Sequence, residues 1–485
     1  MREPAFQIIQ TTGGKVKGIE TPYGFRFLGI PYAHAERFCR PEPYQWEGTW
    51  NCVNYGSIAP QLNNRGRRVG DNAYQPLGSE NCQNLNVWTP GVEGEKKPVF
   101  VYIHGGALQR GSGNDPFYDG DRFREKANVV YVSVNMRLGV MGYLELGHLL
   151  GDKYKSSGNN GIRDVIAALQ WIHDNIAAFG GDPSRVTLYG ISAGAKTIST
   201  ILMATEARTL FNQIFVESGS CQTLRTFDTA ERVTANYLKY LDIQSPEELL
   251  TISVEKLMLA QSEYCNNDGS ACYFGPIMDG ELIHENWRDY WNQKGVWNGK
   301  AVLGSSYNEH GAYVVKDYFL KDKEYLIHEL LGDCDEYAYA AFEKLSAEQP
   351  DMPEPQRWNR VLSDIMYRYY TEDMAALLTN CGVDAWLYNM EVKPGVHAMG
   401  NEIMLGNLAR EKIIVDEYKM KLLSDHLKNR TISFVTDATP NSDLMIEWPT
   451  FAENRKMIFD IPCHVESLDY HRAIDGFPAY CYRLD

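Results

Sequence analysis

Ser192 lies in the stretch Val186-Thr-Leu-Tyr-Gly-Ile-Ser-Ala-Gly-Ala195, whose residue types and spacing suit a nucleophile. An apolar, β-rich run ends in Gly190, and a small-residue turn leads into a helix expected from Ala195-Lys196-Thr197. Gly190-Ile191-Ser192-Ala193-Gly194 is thus a G-x-S-x-G pattern in the strand-turn-helix setting it requires. On a turn that sharp only glycines fit two positions either side, so the serine hydroxyl projects clear of the sheet. A hydroxyl at its ordinary pKa attacks poorly, so a base and oxyanion donors must come from elsewhere in the chain. A chance Gly-Ser turn is the bland alternative, and the flanking strand and helix signals weigh against it.

His104-Gly105-Gly106-Ala107 is the second stretch that could do chemistry. It closes a continuous apolar run, and its small residues let backbone N–H groups face a cavity. With the Ala193 N–H, this is the layout of an oxyanion hole. Such donors act where negative charge develops, and losing one costs roughly 3–4 kcal/mol of barrier.

The elements that must position these groups are alternating runs. Gln7–Gln10, Gly14–Gly18 and Phe25–Ala33 read as strand pieces with glycine turns, followed by a polar loop region to about residue 80. Glu80–Trp88, Pro98–His104, Asn128–Asn135 and Phe211–Glu217 are further strands, and the continuous apolar ones suit a parallel sheet buried on both faces. Ile162, Val165, Ile166, Leu169, Ile172 and Ile176 have helical spacing, and Gly180-Gly-Asp-Pro183 ends that helix before the Ser192 strand. Ala301–Ser306 and Asp384–Met390 are late strands between blocks of helical periodicity at about 225–300 and 315–380. The alternation predicts a single α/β domain over 1–485, with a large, mostly parallel sheet, flanking helices and two helical insertions.

Composition narrows the partners. The 485 residues are 44% hydrophobic and 23% charged, as in an ordinary globular chain with a large core. A net charge of -16 disfavours nucleic acid and anionic membranes, because no basic patch offsets phosphates. Met1–Gln7 has no apolar run of signal-peptide type and no stretch approaches a membrane span, so a cytoplasmic location is expected. The ten cysteines form no repeating C-x-x-C frame, so no metal is expected and most read as reduced thiols.

Seven stretches together resemble the type-B carboxylesterases of the α/β-hydrolase superfamily, the group that includes cholinesterases and bacterial para-nitrobenzyl esterases. They are Phe27–Ala33, Glu80–Trp88, His104–Ala107 through Phe117–Gly120, Asn135–Gly139, Asn160–Asp164, Phe179–Pro183 and Val216–Gly219. They run in the family's order over the first 220 residues, and the C-terminal half matches more thinly. The resemblance implies three oxyanion amides, from Gly106, Ala107 and Ala193. It also implies structural ion pairs of Arg37 with Glu80 and of Arg137 with Asp164.

The family orders its triad Ser, acid, His. Gly304-Ser-Ser-Tyr-Asn-Glu-His-Gly311 resembles its acid segment and gives Glu309 the task of holding the imidazole. Gly395-Val-His397 resembles its histidine loop, with Glu402-Ile403 as the downstream acidic-aliphatic pair and Gly400 and Asn401 as extra residues. His397 is therefore the expected base, with His310, His464 and His471 as the alternatives among eleven histidines. Three departures stand out. Ile191 replaces the Glu usual before the nucleophile, so the network around Ser218 must differ. Ala59 replaces a cysteine usually paired with Cys82, which fits a reducing compartment. Leu108-Gln109-Arg110 follows the oxyanion segment where an aromatic is common, so these three either line a wider, more polar pocket or point at solvent, and Leu108, Gln109 and Ile191 are the expected substrate contacts.

The resemblance implies a bacterial serine carboxylic-ester hydrolase acting on a small-molecule ester through an acyl-enzyme, with no cofactor, as a monomer or homodimer. Amides, carbamates and thioesters stay open as substrates, since the triad does not choose among them. The rivals are a catalytically silent binding or adhesion protein on the same fold and a scavenger that acylates once.

Overall fold

A computed structural model describes residues 4–62, 76–124, 127–265, 274–310, 322–405, 417–442 and 445–468. The expected class is what the chain forms: α/β, with a large, mostly parallel sheet and flanking helices. The chain divides into two compact units, Met1–Asn212 with Leu224–Glu285, and Gln213–Thr223 with Asn286–Asp485.

In the first unit the longer strands are β1 (Phe6–Gln10), β2 (Lys15–Thr21), β3 (Gly24–Pro31), β4 (Asn84–Thr89), β5 (Lys97–Ile103), β6 (Val130–Val134) and β7 (Gly181–Ile191). Their spatial order is β1-β2-β3-β4-β6-β5-β7. The first four steps are antiparallel, and β6, β5 and β7 run parallel. Val99-Phe-Val-Tyr-Ile103 is wholly buried because helices cover both faces of a parallel strand, and each such side chain contributes about 1.5–3 kcal/mol. Helix α1 (Asn160–Asn175) carries the expected spacing and buries Ile162, Val165, Leu169 and Ile172. Gly180, at φ 83, ends the 3-10 turn Ile176–Phe179 that follows it.

The second unit holds β8 (Gln213–Glu217), β9 (Lys300–Ser306), β10 (Asp384–Met390), β11 (Arg455–Phe459) and β12 (His464–Ser467), adjacent in that order. All pairs are parallel except β11 with β12. The 225–300 block contains the helices Phe227–Leu238 and Val254–Tyr264, and the short helix Trp287–Trp291 falls in the second unit. The 315–380 block contains Lys323–Leu331, Asp335–Glu348, Glu354–Ser363 and Tyr369–Asn380. It has its own core, in which Trp358 stacks on Phe342 at 4.2 Å beside Ile327, Val361 and Ile365.

Candidate active site

β7 ends at Ile191, and helix α2 (Ala193–Met203) begins two residues earlier than the sequence suggests. Ser192 alone makes the turn, at φ 56 and ψ -122, a conformation that costs a non-glycine residue of order 1–3 kcal/mol. The flanking glycines are needed for packing. A Cβ on Gly194 would lie 2.1 Å from the Ile103 carbonyl oxygen, and one on Gly190 would lie 2.6 Å from the Gly194 carbonyl carbon. The tight turn is thus fixed by the end of β5 and by the two glycines against each other.

The segment after β5 runs directly against this turn. A Cβ on Gly105 would sit 2.8 Å from the Ile191 carbonyl oxygen and 3.3 Å from the Ser192 Cβ. Gly106, Ala107 and Leu108 follow at φ 121, 57 and 59, a run of positive φ that turns successive peptide N–H groups the same way. The loop is tied down by the Gln109 and Arg110 amides on the Gly106 carbonyl, and by the Gly139 amide on the Leu108 carbonyl at 2.6 Å. His104 is buried, with Nδ1 2.9 Å from the Gly105 carbonyl, and burial lowers its pKa to about 4. A neutral His104 therefore donates to that carbonyl at neutral pH. Leu108 and Gln109 are buried, at 1% and 8% exposure, so neither points at solvent; Ile191 and Ala193 are buried too.

Glu309 and His397 come together from loops 88 residues apart. His397 Nδ1 lies 2.5 Å from Glu309 Oε2, and the carboxyl is buried while the ring keeps 29% of its side-chain surface. Glu309 Oε1 accepts from the Ser218 hydroxyl at 2.8 Å and from the Ser306 amide at 2.6 Å. Burial pushes the Glu309 carboxyl up, and the charge and hydrogen bond of His397, with those two donors, outweigh it and hold the carboxyl below its ordinary range. With Nδ1 donating, Nε2 of a neutral ring is the nitrogen open to take a proton. Tyr367 packs on the His397 ring at 5.1 Å and on His310 at 5.3 Å. His464 is exposed beside Glu466, and His471 lies outside the described residues.

A profile of the carboxylesterase family matches residues 5–473. The chain belongs to the carboxylesterase family. It is 30% identical to a para-nitrobenzyl esterase of Bacillus subtilis (strain 168), over 95% of this chain and 96% of that one. It is 27% identical to a fumonisin B1 esterase of Sphingopyxis macrogoltabida, over 91% of this chain and 84% of the other. Among solved structures, a Geobacillus stearothermophilus carboxylesterase at pH 6.2 matches with TM-score 0.86 and 29% identity, over 97% of this chain and all of that one. The α/β-hydrolase fold and carboxylic-ester hydrolysis by a serine enzyme are those of this carboxylesterase.

Both ion pairs implied by the resemblance to carboxylesterases are present. Asp164 takes Arg137 in a buried fork at 2.8 and 2.7 Å, and Glu80 takes Arg37 the same way nearer the surface. Cys82 and Ala59 are buried, and Cys82 is a free thiol. Seven described cysteines are thiols, whereas Cys334 is disulfide-bonded. Among the described residues no helix is long and apolar enough to cross a membrane.

Sequence reasoning missed how the Glu309 loop is held. The Glu309 amide donates to the Ser363 hydroxyl at 2.9 Å, the Asn308 amide donates to the Gly395 carbonyl at 2.7 Å, and Asn359 bonds to Asn308. The polar pair Asn359 and Ser363, spaced i, i+4 on an apolar helical pattern, is the one local signal of it.

Proposed function

We propose that Ser192, His397 and Glu309 are the catalytic triad of this esterase, with the Gly106, Ala107 and Ala193 amides as oxyanion donors. Leu108, Gln109 and Ile191 then contribute to the substrate site. The observation that carries this reading is the 2.5 Å contact of His397 Nδ1 with the buried Glu309, which leaves Nε2 as the proton acceptor. The strained turn at Ser192 and the positive-φ run at Gly106–Leu108 support the other two parts. Ser192 Oγ gives its proton to His397 and attacks the ester carbonyl, and the developing oxyanion is met by the three amides. The alcohol leaves with the proton from His397. Water, deprotonated by the same nitrogen, then attacks the acyl-enzyme and releases the acid.

The chain acts as one domain in this reading, its helical blocks at about 225–300 and 315–380 shaping a gorge for a small-molecule ester. No step calls for a cofactor or metal. We place the enzyme in a bacterial cytoplasm as monomer or homodimer; the seven described thiols support that compartment, and the Cys334 disulfide weighs against it.

A fluorophosphonate probe, which reacts fast where an activated serine faces oxyanion donors, tests the triad. Peptide mapping is expected to find the label on Ser192 in the wild type and none in His397→Ala. Equal labelling of both would move the base to His310 or His464, and an unlabelled wild type would remove Ser192 as nucleophile. Para-nitrobenzyl esters, named by the Bacillus relative, are the first substrates to assay.

A further inference from the structure

The carboxyl of Glu217 is buried at 1% exposure, and the reaction above gives it no task. Its Oε1 accepts a 2.9 Å hydrogen bond from the Gly400 amide, and the Asn401 amide also bonds to it. Gly400 and Asn401 are the second and third residues of the helix Met399–Met404, α3, which starts two residues after His397. The residue before α3 is Ala398, at φ 72, and it offers no side-chain cap. First-turn amides have no partner inside a helix, so Glu217 does from the end of β8 what an N-cap side chain does locally. The fit is close: a Cβ on Gly400 would lie 2.6 and 2.7 Å from the two carboxyl oxygens. The next residue, Ser218, at φ 56, donates to Glu309. Two adjacent residues at the end of one strand therefore hold the acid and the segment after the histidine, one each.

We propose that Glu217 is a positioning residue for ester hydrolysis: by capping α3 through the Gly400 and Asn401 amides, it sets the orientation in which the His397 ring meets Glu309. The proposal rests on His397 being the base. Asn308, through the Gly395 and Pro394 carbonyls, holds the other side of the same loop, so the ring is suspended between two anchors. Burial, with the Glu309 charge beside it, raises the Glu217 carboxyl to about 8, so it is largely protonated at neutral pH and places no second negative charge next to Glu309. An uncharged amide can then take its place, whereas an apolar group strands the amides.

Glu217→Gln and Glu217→Leu separate these cases, with rates taken per serine labelled by fluorophosphonate at completion. Glu217→Gln is expected within about threefold of wild type, and Glu217→Leu about 10–100-fold lower in kcat with KM within about twofold, because a misaligned base slows chemistry and leaves binding alone. Wild-type kcat in Glu217→Leu, or Glu217→Gln as slow as Glu217→Leu, overturns the proposal. If Glu217→Leu does not fold, Gly400→Ala takes its place: its added methyl displaces the carboxyl and should give the same loss confined to kcat, and an unchanged kcat overturns the inference. His397→Ala is run alongside. If it labels as fast as wild type, the base is misassigned and this inference falls with it; if it is inert while the Glu217 and Gly400 variants turn over normally, the inference alone fails.

Discussion

His104 shows how one side chain links the loop after β5 to pH. Its folded pKa, about 4, lies below the 6.5 of a free histidine because burial disfavours the cation. The unfolded chain therefore takes up a proton first as pH falls. The associated stability is complete above pH 6.5 and is lost as pH falls toward 4, by up to about 3 kcal/mol for a shift of this size. His104→Gln can still donate to the Gly105 carbonyl and cannot titrate. Urea midpoints compared at pH 7 and pH 4.5 should fall further for wild type than for His104→Gln, and equal falls would show that His104 is not the group responsible. Glu217 contributes with the opposite slope, since its raised pKa gives stability that is present below about 4.5 and lost as pH rises through about 8.

At the scale of the element, the strand-turn-helix unit around Ser192 stands on backbone contacts that no side-chain movement can relieve. Gly194 faces the Ile103 and His104 carbonyl oxygens, at 2.1 and 2.9 Å from an added Cβ. Gly194→Ala must push β5 and α2 apart and should cost about 3 kcal/mol or more, read as a lower urea midpoint and lower soluble yield. Gly91→Ala is the matched control, because an added Cβ there meets nothing within 4 Å. It should stay within about 0.5 kcal/mol of wild type. A Gly194→Ala protein as stable as the control would mean that the turn tolerates separation from β5.

At the scale of the whole molecule, two ion pairs between segments distant in sequence carry different weight. Arg137 and Asp164 are both buried, at 3% and 0% side-chain exposure, and Arg137 also donates to the Cys39 carbonyl. Asp164→Ala leaves a buried guanidinium without its carboxylate and should destabilise by about 3–5 kcal/mol. Glu80 keeps 29% of its side-chain surface, and its partner Arg37 retains the Leu249 and Ile252 carbonyls. Glu80→Ala should therefore cost about 1 kcal/mol or less. Urea unfolding of the two variants side by side checks the ranking, and equal losses would contradict it.

The parts of the fold and site that are local in sequence were legible in it. Continuous apolar runs identified β5 and β6, because a strand in the middle of a parallel sheet is apolar on both faces. The spacing of Gly190, Ser192 and Gly194 identified the turn, because only hydrogen side chains fit where β5, β7 and α2 meet. Glu309 and His397, the proposed acid and base, were chosen through resemblance and chain order, and eleven histidines left the sequence without a physical reason to choose one. Tertiary structure decided the rest. Glu309 meets His397 across 88 residues and Glu217 meets Gly400 across 183, through hydrogen bonds at the ends of parallel strands. Those partners are selected by which strand ends lie side by side, and the order of strands in a sheet is decided by how distant segments of the chain pack together, not by the residues of any one strand.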